Sequence, residues 1–270
     1  MRARTKSLSF GFIFIFMASS VSYGGLSITG GLTQEKKAGI GETYNGSILI
    51  KNTSAEAQEV KIYQTDYTFF SDGTNHYDPP GKAERSNAGW LAFAPRRLAI
   101  PTGDTLTVNY TVKVPTDLNL VGTYWSMLMV EDVPKSSAES SQKKLNQPGI
   151  VQVIRYGVQI ITNIGDTGER MLKFLDTKVI REDKTRFVQI DVENTGQRLL
   201  RPTLWLELYG ESGSYAGKFE AGTKRIYPNT SVRYKLDLTG VPQGTYKALV
   251  VADCGGDDIF GANYDLKFEK

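Results

Sequence analysis

The chain has 270 residues, 40% of them hydrophobic, and a formal charge of +3; Arg2, Arg4 and Lys6 near the start supply three of its positive charges. The rest is close to neutral, which leaves no electrostatic footprint for nucleic acid or another polyanion. A single cysteine, Cys254, excludes an intramolecular disulfide framework, and a single histidine, His76, removes His-paired zinc ligation and makes any Ser-His-Asp triad depend on one imidazole.

The basic opening runs into the apolar stretch Leu8 to Met17, followed by small residues around Ser20, Ser22 and Gly24. That order predicts a secretory signal peptide over 1–24 and export to the periplasm, with the cell surface as the alternative. The stretch is shorter than the roughly 20 residues a membrane-spanning helix needs, so no stable membrane insertion is expected after cleavage.

Beyond it the apolar period is two. Leu106, Val108, Tyr110 and Val112 share one face of a segment, as do Val188, Ile190 and Val192 of another. In chain order the predicted strands are Tyr44 to Lys51, Val60 to Phe69, Trp90 to Phe93, Arg97 to Ile100, Leu106 to Val112, Thr123 to Glu131 and Val151 to Thr162. Then come Met171 to Ile180, Phe187 to Val192, Thr203 to Tyr209, Ser231 to Leu238, Thr245 to Ala252 and Asn263 to Phe268. Turn chemistry such as Ser71-Asp72-Gly73 and Pro79-Pro80-Gly81 separates them. The polar segment Pro134 to Pro148 is too poor in apolar side chains to offset its ordering entropy and is predicted to be a mobile loop.

An internal repeat divides the chain. Ile48-Leu49-Ile50-Lys51-Asn52-Thr53 matches Ile190-Asp191-Val192-Glu193-Asn194-Thr195; the strand led by Pro101 matches the one led by Pro228; and Gly122-Thr123-Tyr124 matches Gly244-Thr245-Tyr246. Many short strands in two copies predict an all-β chain of two tandem immunoglobulin-like β-sandwiches, over 25–163 and 164–270, meeting at a short, fixed corner near Asn163-Ile164-Gly165.

Catalytic chemistry is missing. His76 lies among turn formers, and Gly210-Glu211-Ser212-Gly213-Ser214 has the wrong spacing for a nucleophile elbow. The acidic run Cys254 to Asp258, with Asp265, lacks a calcium-loop spacing. No catalytic residue, metal or cofactor is expected, and Cys254 reads as a strand-end thiol.

Two segments carry a resemblance. Trp90-Leu91-Ala92-Phe93-Ala94-Pro95-Arg96-Arg97-Leu98-Ala99-Ile100-Pro101-Thr102-Gly103 and Tyr124-Trp125-Ser126-Met127-Leu128-Met129-Val130-Glu131-Asp132-Val133-Pro134 resemble the turn and the strand that PapD-like periplasmic pilus chaperones carry at similar places. Those proteins hold pilus subunits by lending them a strand. The resemblance implies a chaperone-like assembly factor whose partners are exported subunits and an outer-membrane usher, with Val151 to Ile161 as its donor strand. The family also anchors a subunit's terminal carboxylate with an Arg near the first strand and a Lys late in the donor strand. Here Leu26 to Leu32 holds no Arg, and Gly157 stands at the Lys position with Arg155 the nearest cation.

The residues give their own argument for strand lending. Ile154, Tyr156, Val158 and Ile160 form the longer apolar set and are predicted to face the home core. Val151, Val153, Arg155, Gly157, Gln159 and Ile161 then face outward as the candidate partner-binding set, apolar at its ends and polar in its middle. The alternative is a structural Ig-like surface or envelope protein in which this strand is covered by the chain itself.

Overall fold

The computed structural model describes residues 25–135, 137, 139, 153–183 and 185–269. The predicted signal segment, Val151 and most of the predicted loop Pro134 to Pro148 lie outside the described residues. The described chain is all-β apart from one 3-10 turn, Ala88–Trp90, and forms two immunoglobulin-like β-sandwiches.

In the first sandwich one sheet has the order β1 (Leu26–Thr29), β3 (Thr43–Asn52), β9 (Thr105–Lys113), β7 (Leu91–Ala94). The facing sheet has the order β2 (Thr33–Ala38), β11 (Arg155–Ile164), β10 (Gly122–Asp132), β4 (Gln58–Thr65), β8 (Arg97–Ile100). A hairpin of β5 (Thr68–Phe69) and β6 (Asn75–His76) projects from it. The alternation read from the sequence sets the layers: Ile48, Ile50, Val108, Val112, Leu128, Val130, Val158 and Ile160 interdigitate in one core. The second sandwich packs β12 (Leu172–Glu182), β13 (Thr185–Asn194) and β16 (Ser231–Asp237) against β15 (Tyr215–Thr223), β14 (Thr203–Gly210), β17 (Gly244–Asp253) and β18 (Ile259–Phe268). Its core holds Val188, Ile190, Leu204, Leu206, Leu236 and Val250.

The chain has strands where the sequence reading left none: β1, β2, β6 and β15. Their composition explains the gap. β2 reads Thr-Gln-Glu-Lys-Lys-Ala and buries only Ala38, while β15 has no buried residue. Short or mostly polar edge strands are held by backbone pairing and carry too short an apolar period to detect.

The first of these gaps shapes the molecule. β1 pairs antiparallel with β3 in one sheet, and β2 pairs parallel with β11 in the other. Between them Gly30 and Gly31 both adopt left-handed backbone, with φ of 91° and 93°, which side chains other than hydrogen rarely permit. The glycine pair lets the N-terminal strand switch sheets halfway. As a result β2 covers β11 only over Gln159 to Ile164.

A small aromatic cluster joins the sandwiches. Trp125 of β10 and Ile161 of β11 are buried against Tyr227 of the second sandwich, with Phe69 and Leu199 beside them. Around it the Thr123 N–H donates to the Gln197 carbonyl at 2.8 Å and the Thr123 hydroxyl accepts from the Leu199 N–H at 2.9 Å. Ion pairs Arg201–Glu35 and Lys37–Asp166 close the seam.

Candidate partner-binding edge

β11 runs antiparallel to β10, with Gly157 opposite Met129, Gln159 opposite Met127 and Ile161 opposite Trp125. In such a ladder successive residues send their backbone groups to opposite sides. The Ile154 carbonyl accepts from Asp132 on the β10 side, while the Gln159 N–H donates to Leu32 on the β2 side at 2.9 Å. By that alternation the N–H and C=O groups of Arg155 and Gly157 point away from β10. No described strand pairs with them there, because β2 begins its pairing at Gln159.

The six candidate positions meet different fates. Val151 lies outside the described residues. Val153 is exposed. Arg155 is on the open face, but its guanidinium is already engaged: Nε lies 2.7 Å from Glu131. Gly157 borders a hollow. Gln159 and Ile161 point to the same side of the sheet and are covered there, which corrects their placement on an open face. The Gln159 side chain accepts from the Tyr227 hydroxyl and from Arg225, and Ile161 is 0% exposed beneath Tyr227. The signal missed was the second sandwich itself, which strand periodicity does not see. On the opposite set, Val158 and Ile160 are in the core as predicted and Tyr156 packs against it, but Ile154 is 40% exposed. At this end the chain keeps only its β10 neighbour, through the bond from Asp132.

The hollow lies on the outer face beside the open edge and measures 390 Å³. Met127 and Met129 form its floor with Gly157, Tyr63 and Tyr77 its walls, and Arg155 its rim; Thr65 also lines it, with its hydroxyl buried and unpartnered. Gly157 is needed for the close approach: a Cβ there would stand 2.9 Å from Met127 Sδ and 3.3 Å from Met129 Sδ. At the upper end the Glu131 carboxylate accepts from the Tyr63 hydroxyl at 2.6 Å and pairs with Lys61 at 3.2 Å as well as with Arg155. Burial pushes that carboxyl up, and the hydrogen bonds from Tyr63, Lys61 and Arg155 outweigh it, so the net direction is below the usual carboxylate value.

Below the hollow, the cleft between the sandwiches is lined by Gln159, Tyr227, Lys224, Arg225 and the aromatic hairpin residues Phe69 and Phe70. Arg225 reaches Thr33 Oγ1 at 3.0 Å, its Nε is buried without a partner, and among the described residues no carboxylate pairs with it. The other positions weighed from sequence lie elsewhere. His76 is exposed on β6 with its ring edge-on to Phe70. Asp258 pairs with Arg170 and Asp265 with Lys247. Cys254 follows β17, and burial pushes its thiol up to about 11.

No protein-family model and no curated protein matches the sequence. Solved structures do resemble the fold. They include a chaperone–tip adhesin complex of CFA/I fimbriae, at 16% identity over 90% of this chain and 98% of that one with a TM-score of 0.47. The class 5 fimbriae chaperone CfaA is similar at 15% identity over 89% of this chain and 98% of that one, TM-score 0.46. The CsuC–CsuE chaperone–tip adhesion subunit complex of Acinetobacter baumannii is similar at 13% identity over 88% and 98%, TM-score 0.47. The structures that resemble this chain include pilus chaperones. The likeness spans about nine tenths of the chain and is one of fold.

Proposed function

We propose that this chain is an exported, non-enzymatic chaperone-like assembly factor that binds pilus-type subunits by pairing the open edge of β11 with one of their strands. The single observation that carries the reading is the half-covered β11. Its last six residues are paired on both sides, while Arg155 and Gly157 turn their backbone groups outward next to a hollow. An unpaired edge of this kind is a template for an added strand, and natural proteins otherwise blunt or cover it. The motif resemblance in β7 to β8 and in β10 points the same way. In the cleft at the foot of that edge, Arg225 of the second sandwich supplies a cation near the place where the family anchors a terminal carboxylate, although neither family position carries one here.

The test is a proline. Arg155→Pro removes an N–H that points to the open edge and leaves the bonds to β10 alone, so an edge strand should tolerate it. Arg155→Ala removes the side chain and keeps the donor. Pull-down of exported proteins should be lost with Arg155→Pro and retained with Arg155→Ala, both melting near the wild type. Equal capture by a folded Arg155→Pro variant would leave the structural surface-protein reading in its place.

A further inference from the structure

The proposed edge pairing leaves the hollow beside it without an occupant. We infer that the strand paired with β11 places one bulky, uncharged apolar side chain, of leucine or phenylalanine size, opposite Gly157 and into the hollow floored by Met127 and Met129. The inference rests on the strand-pairing reading and adds a side-chain rule to it.

Three features select that occupant. The first is register. Because the backbone groups of Gly157 point to the open edge, the residue of an added strand directly opposite it stands about 5 Å away and sends its side chain to the same face. Gly157 has no side chain to meet it, so that side chain meets the two thioethers packed over the Gly157 backbone. The second is charge. Glu131, the carboxylate that holds the rim residue Arg155, already accepts from Tyr63, Lys61 and Arg155. A charged occupant would lose its hydration and find no free counter-charge among the described residues lining the hollow. The third is surface chemistry. Met127 and Met129 are 5% and 6% exposed and lie between Tyr63 and Tyr77, and methionine adapts its unbranched chain to whichever apolar shape arrives.

The probe is a set of fluorescein-labelled nonapeptides of alternating Val and Thr, identical except for a central Ala, Leu, Phe or Asp, titrated by anisotropy against the folded protein. The Leu and Phe peptides should bind roughly tenfold to hundredfold more tightly than the Ala peptide, the span expected for burying one such side chain, and the Asp peptide no more tightly than Ala. Gly157→Leu fills the hollow from the home side and should erase the preference while keeping the affinity for the Ala peptide. Tyr77→Ala, at an exposed wall where folding is not at stake, should cut the preference at least threefold. Equal binding of the Ala, Leu and Phe peptides by the wild type overturns the side-chain rule and leaves edge pairing standing. A preference that survives both variants also overturns the rule. If none of the peptides binds, edge pairing fails and the rule with it.

Discussion

The ring of Tyr227, from the second sandwich, lies on the indole of Trp125, from the first, with centroids 4.6 Å apart and planes 16° from parallel. Tyr227 is also held by its hydroxyl, which donates to Gln159 of β11. This one side chain therefore fixes the angle between the sandwiches and closes the outer face of β11 beyond Gly157. Removing it with Tyr227→Ala should cost about 3–5 kcal/mol, as for other large aromatic truncations in a core. In calorimetry a single unfolding transition should separate into two. Tyr227→Phe keeps the stack and loses only a hydrogen bond, so it should cost about 1 kcal/mol and keep one transition. A Tyr227→Ala protein that still melts as one unit would show that the polar seam at Thr123 and Leu199 suffices.

The internal repeat has a physical cause in two buried asparagines. Asn52 Nδ2 donates to the Ile100 carbonyl at 2.9 Å and Asn194 Nδ2 to the Ile226 carbonyl, also at 2.9 Å. The carbonyls of the same two residues accept from the N–H groups of Gly103 and Asn229, both in left-handed backbone. Each asparagine thus pins the turn before the strand that pairs with its own, β9 for Asn52 and β16 for Asn194. The equivalence also moves the sequence alignment by one residue, since Pro228 corresponds to Thr102 and not to Pro101. Asn52→Ala and Asn194→Ala should each cost about 1–3 kcal/mol by leaving buried carbonyls unpaired, and urea titrations of the two variants should give similar losses. A near-neutral result for either would mean that water replaces the amide.

What the sequence made legible follows from this. Buried strands with a clean alternation were found within one to four residues, because each inward side chain is a signal of its own. The sheet switch at Gly30-Gly31 was written as a glycine pair in an otherwise polar stretch, but its meaning depends on which sheets lie on either side. The face of β11 was legible and its coverage was not. Gln159 and Ile161 lie on the predicted side of the strand, and Tyr227, 66 residues beyond Ile161, decides that they are buried there.

Acid should loosen the rim of the hollow. The Glu131 carboxyl titrates below its ordinary value in the folded chain, so its ionised form is favoured by folding. Its contribution is complete above the unfolded value of about 4.3 and is lost as pH falls through the lower folded value. Urea stability measured from pH 6 to pH 3 should therefore fall less steeply in Glu131→Gln than in the wild type. Parallel curves would assign the acid sensitivity to other carboxylates.

Cys254 should behave as an inert thiol. With burial pushing it up to about 11, hardly any thiolate is present at neutral pH, and the thiolate is the reactive species. In the native protein a disulfide reagent at pH 7 should modify it far more slowly than it modifies the urea-unfolded chain. Labelling at the same rate in both states would place the thiol in solvent.

Val153, just before β11, and Ile161, within it, differ in cover. They are eight residues apart on the same alternating set, so periodicity treats them alike. Val153 is 39% exposed and Ile161 0%. An aspartate at 153 keeps access to water and costs little, whereas at 161 it would place a carboxylate inside the buried apolar cluster that Ile161 forms with Trp125 and Tyr227. Burying such a charge without a partner costs several kcal/mol, a large part of a domain's whole stability. Val153→Asp should therefore melt within a few degrees of the wild type and, if the edge pairs with a partner strand, weaken capture. Ile161→Asp should unfold the first sandwich or part it from the second, which circular dichroism melts and limited proteolysis would register. Two variants of equal stability would contradict the difference in burial between Val153 and Ile161.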